Sequence, residues 1–196
     1  MDTIKSKYHE TLAATIIKNL EKRQMEGYYC PTVEDAEKLA FSFLKDGQSV
    51  SFGGSMTLED TGMLTALRHD PGITLLDRAQ AKTPEEAKKI YHDALSSDFY
   101  FMSTNAITKD GELVNIDGTG NRVAALIYGP EHVIVMAGMN KVAANVDEAL
   151  SRVHGTATPM NCKRLGKNTP CSATGVCSDC LSPDCICNQV VITRRS

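Results

Sequence analysis

Apolar residues along this chain recur at two different periods, and each change of period marks a predicted element. In residues 8–26, Leu12, Ile16 and Leu20 fall at helical spacing with polar residues between them, which predicts an amphipathic N-terminal helix. A second helix is predicted from Thr32, whose hydroxyl can cap it with Asp35 three positions on. It runs through Ala36, Ala40, Phe41 and Leu44 and stops at Asp46-Gly47. Residues 49–52 read as a short buried strand running into Gly53-Gly54-Ser55, and a helix is predicted from Thr57 with Asp60 at the capping-box position. Residues 73–76 form another short apolar run. Thr83-Pro84-Glu85-Glu86 then starts a helix, with proline at its first position.

The apolar stretch 99–102 precedes residues 107–114, in which Asp110-Gly111 is the favoured two-residue hairpin turn. Residues 123–128 and the strand-like run 132–136 follow, then a helix around residues 142–153. Short strands alternating with helices predict an α/β fold: a mixed, mainly parallel sheet flanked by helices, made mixed by the hairpin. A length of 196 residues accords with one domain, its α/β body in residues 1–155. From Gly155 onward periodicity is lost, and Pro159, Gly166, Pro170, Gly175 and Pro183 lie among cysteines. Residues 156–196 are therefore predicted to be a loop-rich, Cys-rich C-terminal segment of the same domain.

Composition narrows the function. A hydrophobic share of 42% with 23% charged residues places the chain among folded proteins rather than disordered ones. The net charge of −3 and the lack of a dense Lys/Arg run argue against nucleic-acid binding, which rests on clustered phosphate neutralisation. Charged residues break up the first twenty positions, and no stretch reaches the roughly 18 to 20 apolar residues that cross a bilayer. A cytoplasmic protein that does not engage a membrane is expected. In that reducing compartment, seven cysteines point to metal or redox chemistry rather than to a disulfide framework.

Six of the seven cysteines fall between Cys162 and Cys187, spaced Cys162-x8-Cys171-x5-Cys177-x2-Cys180-x4-Cys185-x-Cys187. The Cys177-x2-Cys180 pair can bring two thiolates onto one metal, and the flanking cysteines can supply the third and fourth ligands. Ligation would then order a segment that has little apolar surface to bury. An all-sulfur set without paired histidines suits an iron–sulfur cluster, with zinc as the alternative and thiol–disulfide chemistry or simple burial as further readings. Cys30, remote in sequence, reads as structural. His9, His69, His92, His132 and His154 form no close metal pair and read as lone surface residues.

Three further motifs carry candidate chemistry. Gly53-Gly54-Ser55-Met56-Thr57 lies between a strand and a helix, where backbone N–H groups and the Ser55 and Thr57 hydroxyls could meet an anion; ordinary capping of a tight turn is the plainer reading. Residues 115–122 concentrate Asp117, Gly118, Gly120, Asn121 and Arg122, with Arg122 a planar fork for carboxylate or phosphate and Asp117 an acceptor or base. Gly138-Met139-Asn140-Lys141 follows the most apolar strand, at the end where α/β sheets collect ligands; Asn140 and Lys141 join the candidate anion set. Glu112 reads as a hairpin residue rather than a nucleophile, and no catalytic residue is assigned.

Gly53-Gly54-Ser55-Met56-Thr57, the run Asp117-Gly118-Thr119-Gly120-Asn121-Arg122-Val123, Gly138-Met139-Asn140-Lys141 and the cysteine segment 171–188 together resemble the lactate-utilisation (LUD, YkgG-like) family. The resemblance implies a fold similar to the NagB/RpiA/CoA-transferase class. It also implies a part in oxidising lactate, a 2-hydroxy acid, to pyruvate, beside iron–sulfur partner oxidoreductases. Carried over residue by residue, the family's cysteine motif covers Cys171, Cys177, Cys180 and Cys187 as ligands of an iron–sulfur cluster, of the 4Fe-4S kind. Cys162 and Cys185 stand where the family pattern has other residues, so either could replace a ligand or form a redox pair. Two other functions stay open. One is a transferase, isomerase or hydro-lyase acting on a small carboxylate or phosphate ligand, with structural zinc. The other is a non-catalytic module that docks a partner.

Overall fold

The computed structural model describes residues 3–196; Met1 and Asp2 of the N-terminal stretch lie outside the described residues. Along the chain run α1 (Thr3–Lys22), α2 (Val33–Ser42), β1 (Ser49–Phe52), α3 (Met56–Asp60), α4 (Met63–His69), β2 (Thr74–Leu76), α5 (Pro84–Asp93), β3 (Phe99–Met102) and β4 (Ala106–Thr108). There follow β5 (Leu113–Asp117), α6 (Asn121–Ile127), β6 (His132–Val135), β7 (Val142–Ala143), α7 (Val146–Arg152), α8 (Thr158–Arg164), α9 (Pro170–Thr174) and β8 (Gln189–Thr193). Two units interleave in sequence. One comprises Cys30–Ser103 and Asn121–Ala137; the other comprises the segment ending at Tyr29, Thr104–Gly120 and Gly138–Ser196. Among the described residues no helix is long and apolar enough to cross a membrane.

The first unit carries an all-parallel sheet in the order β2-β1-β3-β6. Its helices start where capping chemistry places them: the Thr32 hydroxyl accepts from the Asp35 N–H at 3.1 Å, and the Thr83 hydroxyl from the Glu86 N–H at 3.2 Å. All four residues of β3 are buried. Phe99 and Phe101 join Val50, Leu58, Met63 and Leu67 in one core, whereas Tyr100 and Met102 pack with Ala94 and Ala125 in another. Successive strand side chains point to opposite faces, so a strand covered on both faces must be apolar throughout.

The second unit holds a mixed sheet in the order β7-β4-β5-β8, with β4 antiparallel to β5, β5 antiparallel to β8, and β4 parallel to β7. Ala106, Val114, Ile116, Ala143, Ala149 and Val153 form its core. A mixed α/β fold with parallel strands and flanking helices is therefore present, but in two four-stranded sheets instead of one. The reason is local: the hairpin closes on itself and recruits β8, so it seeds a sheet apart from the parallel strands. Its turn is a three-residue loop, Lys109-Asp110-Gly111, because the Thr108 N–H donates to Glu112 O at 2.9 Å. Gly111, at φ +85°, takes the left-handed position that such a loop needs.

Two other expectations are corrected. Residues 142–153 are not one helix: Val142–Ala143 form β7, and Asn145 caps α7 by accepting from the Glu148 N–H at 2.9 Å. Nor are residues 156–196 only loop, since they contain α8, α9 and β8. The cysteine segment shares its unit with the hairpin and the N-terminal helix.

Asp98 ties the start of β3 to β1. Its carboxylate accepts from the Ser49 N–H at 2.7 Å and from the Ser49 hydroxyl at 2.6 Å, and these bonds hold its pKa below the usual carboxylate value. A lowered folded-state pKa stabilises the fold above the ordinary carboxylate range of about 3.9 and loses that contribution as pH falls through the folded value. Ser49→Ala should raise the Asp98 pKa in an NMR titration and make the protein less resistant to acid; an unmoved titration would show that the pair does not hold the carboxylate.

Candidate functional site

In the parallel-sheet unit, β2 and β3 lie on opposite sides of β1, so the strand order reverses beside β1. Ligands of open α/β sheets gather at the carboxyl ends of strands at such a reversal. There the Gly53 N–H donates to Phe101 O at 2.9 Å, which leaves Gly53 buried and Gly54 exposed. Ser55, not Thr57, caps the next helix, accepting from the Leu58 N–H at 3.4 Å. That helix is a single turn ending near Gly62, whose φ of +75° breaks the chain into α4. The Ser103 hydroxyl, just past β3, donates to the Thr57 hydroxyl at 3.5 Å. Arg122, in the first turn of α6, donates from Nη1 to Ser103 O at 3.0 Å.

Sequence reading passed over Arg78. It follows β2 directly, and its Nη2 lies 2.7 Å from where a Cβ on Gly54 would sit. The available signal was its position just beyond the carboxyl end of a parallel strand. Arg78 lines a cleft with Tyr91, Tyr100, Ser51, Phe52 and Asn121. Gly53, Gly54, Ser55, Thr57, Asn121 and Arg122 thus belong to this unit, whereas Asp117, Gly118, Gly120, Asn140 and Lys141 belong to the other.

In the mixed-sheet unit, Asp117 ends β5 and its Oδ1 accepts from the Thr119 N–H at 3.0 Å and the Gly120 N–H at 2.8 Å. The carboxylate therefore shapes the loop, a role that competes with that of a base. The end of the cysteine segment lies against this loop: the Asn188 N–H donates to Asp117 O at 3.1 Å and its side-chain amide to Gly118 O at 2.8 Å. Asn140 and Lys141 sit in the short turn Met139–Lys141. Arg152 anchors that turn, donating to Asn140 O at 3.1 Å and to Asn105 O at 2.6 Å, and burial pulls its pKa down.

The cysteines sort into contacts. Cys162 on α8 and Cys171 on α9 are buried and close enough to influence each other's titration; Cys185 lies near Cys180, and its Sγ accepts from the Cys187 N–H at 3.4 Å. Burial pushes the Cys187 thiol up to about 11 and raises Cys162, whereas hydrogen bonds from Ser182 lower Cys180. Cys177 stands apart, its Sγ 3.6 Å from Nδ1 of His154. His154, read from sequence as a lone surface residue, lies in the π-helical stretch Val153–Ala157 that joins α7 to α8. Among the described residues no three His, Cys, Asp or Glu side chains converge closely enough to hold a metal ion. In donor chemistry the set nevertheless fits a thiophilic centre, because five of its thiols already lie in pairwise contact. Cys30 is partly buried, which raises its pKa, with Asp35 adding to the rise.

The family model for the LUD domain matches residues 13–196. The chain belongs to the LUD-domain family. No curated protein matches it. Among solved structures it is similar to a D-ribose-5-phosphate isomerase in complex with phospho-erythronic acid, at 17% identity and a TM-score of 0.36, over 55% of this chain and 52% of that one. It is also similar to eIF2B delta from Chaetomium thermophilum, at 20% identity and a TM-score of 0.36, over 73% and 57% of the two chains. A third similar structure is ribose 5-phosphate isomerase from Plasmodium falciparum, at 15% identity and a TM-score of 0.34, over 58% and 52%. The chain spans about half the length of these structures.

In this LUD-domain chain the family motif's glycine at 118 has a packing reason: a Cβ there would meet Ile186 Cβ at 3.0 Å and Ile186 Cα at 3.1 Å. Gly118→Ala should therefore lift Ile186 and Cys187 off the loop. In metal-free wild-type protein near pH 8.5, about the ordinary thiol pKa, iodoacetamide should modify Cys180 well before Cys187. In Gly118→Ala that difference should shrink. Equal rates in the wild type, read by peptide mass spectrometry, would show that Cys187 is not shielded.

Proposed function

We propose that this LUD-domain protein takes part, in the cytoplasm, in oxidising a 2-hydroxy acid such as lactate to its 2-oxo acid, and that its C-terminal cysteines hold an iron–sulfur cluster. The observation that carries this reading is the gathering of thiols: six cysteines within one short segment, five of them in contact, all seven unbridged. When bound, a 4Fe-4S cluster supplies one-electron transfer. Cys171, Cys177, Cys180 and Cys187 are the ligands the family motif implies. The contacts of Cys162 with Cys171 and of Cys185 with Cys187 support those two residues as exchangeable members of the set. Ligation would draw the pairs together and order residues 177–187, in the way that metal binding and folding are coupled elsewhere.

Oxidation of the alcohol carbon releases two electrons and two protons, so a partner iron–sulfur oxidoreductase is the expected electron acceptor. The chain's own contribution to ligand binding is cationic and hydroxylic. Arg122, oriented by Ser103 O, together with the Gly53–Gly54 turn, Ser55 and Thr57, would meet an anionic ligand. Asn121 lines the adjoining cleft. The other unit carries separate candidates for an anion: Lys141 and Asn140 on the turn held by Arg152, and Gly118 and Gly120 on the loop held by Asp117.

Protein purified without oxygen should contain iron and acid-labile sulfide and show thiolate-to-iron absorption in the visible. Cys171→Ser and Cys187→Ser should each strip most of the iron, and Cys162→Ser should lower it further than Cys30→Ser does. Zinc in place of iron would overturn the redox reading in favour of a transferase- or isomerase-type enzyme with a structural metal, which the cationic turn of the parallel-sheet unit also supports.

A further inference from the structure

We propose that His154 donates its Nδ1–H to the sulfur of metal-bound Cys177, and that this hydrogen bond raises the reduction potential of the bound cluster. The inference rests on reading the C-terminal cysteines as cluster ligands, and it gives a role to a residue outside that set.

Two donors from different parts of the chain converge on one sulfur. The Asp179 N–H donates to Cys177 Sγ at 3.5 Å, and His154 Nδ1 lies 3.6 Å from the same atom. The first contact is local. Asp179, at φ +49°, occupies the left-handed region that aspartate tolerates better than most residues, and this bend turns its N–H back toward Cys177. The second contact spans 23 positions in sequence and joins the cysteine segment to the stretch Val153–Ala157.

That stretch departs from regular helix. The Thr158 N–H donates to Val153 O, so the chain between α7 and α8 widens into a π-helical turn. Such turns are rare and concentrate at functional sites. Here Val153 stays in the unit's core with Ala149, while His154 beside it is only partly buried and meets Cys177. At the other end of the turn, Thr158 is buried and near enough to Cys187 to offset part of the rise that burial imposes on that thiol. One turn thus reaches two of the residues that the family motif implies as ligands.

Coordination decides the direction of the His154 bond. A thiol and a neutral imidazole can each donate or accept. A metal-bound Cys177 is a thiolate with no proton to give, so the contact is favourable only if Nδ1 carries the proton. Donation to a ligand sulfur draws negative charge from it and favours the reduced, more negative state of the centre. Hydrogen bonds to sulfur are among the features that set iron–sulfur potentials.

The test uses the full chain in two loaded forms. With zinc, which is diamagnetic, long-range proton–nitrogen NMR at about pH 8, above the ordinary histidine range, should show His154 as the Nδ1–H tautomer. With iron and sulfide, redox titration followed by EPR should give His154→Phe a lower potential than wild type. The expected change is about tenfold in the ratio of reduced to oxidised centre, which is about 59 mV for one electron. His154→Asn, whose amide N–H can stand in for Nδ1–H, should recover most of that shift, and all three proteins should carry the same iron and sulfide per chain. An Nε2–H tautomer, an unchanged potential in His154→Phe, or no recovery in His154→Asn would overturn the inference while leaving the cluster reading intact. Loss of iron from His154→Phe with the melting temperature held would also overturn it, making His154 a ligand instead of a donor to one. The tautomer is read on wild type, so it decides the bond even if His154→Phe does not fold. Iron absent from wild type would overturn the cluster reading and, with it, the effect on potential.

Discussion

The burial of β3 on both faces is the constraint from which the parallel-sheet unit follows. Phe99 and Phe101 fill one core and Tyr100 and Met102 the other, so the strand can be neither an edge nor part of a one-sided sheet. Its parallel partners β1 and β6 align their carboxyl ends with its own. At that shared end the Gly53 N–H reaches Phe101 O, and Ser103 presents its carbonyl to Arg122. The candidate groups at this end are thus placed by the backbone pairing of β1 and β3.

The mixed-sheet unit solves a different problem. A cysteine-rich stretch with little apolar surface is held at both ends, by α8 through buried Cys162 and by β8 through five paired positions from Leu113↔Thr193 to Asp117↔Gln189. Pairing of β8 with β5 brings Asn188 onto the Asp117–Gly118 backbone and packs Cys187 against the unit's core. Closing the loop in this way restricts where the six clustered thiols can go, which reduces the entropy lost when they come together.

Electrostatics separates structural charges from available ones. Asp77 with Arg68 and Glu112 with Arg23 are acids matched to a nearby base, and both acids are largely removed from solvent. One-sided loss of a partner from such a pair costs more than the pair contributes, so these charges stay committed. Arg78 instead stacks on the Tyr91 ring, 5.5 Å from the centroid.

Much was legible from the residues alone. The Thr32 and Thr83 caps, the bounds of β1 and β3, the parallel pattern and the hairpin all follow from local chemistry, because capping, side-chain period and turn preference act between residues a few positions apart. The cysteine spacing and the glycine-rich motifs were likewise visible as candidates. What only the tertiary structure decided depends on long-range pairing. The β-branched run Val190-Val191-Ile192-Thr193 had strand character, but a strand gains its partner from residues some eighty positions away. The division of the candidate anion residues between two units, the partnership of Cys177 with His154, and the placing of Arg78 beside Gly54 arise in the same way. Each depends on where separate elements end once packed, and local sequence preferences carry no information about that.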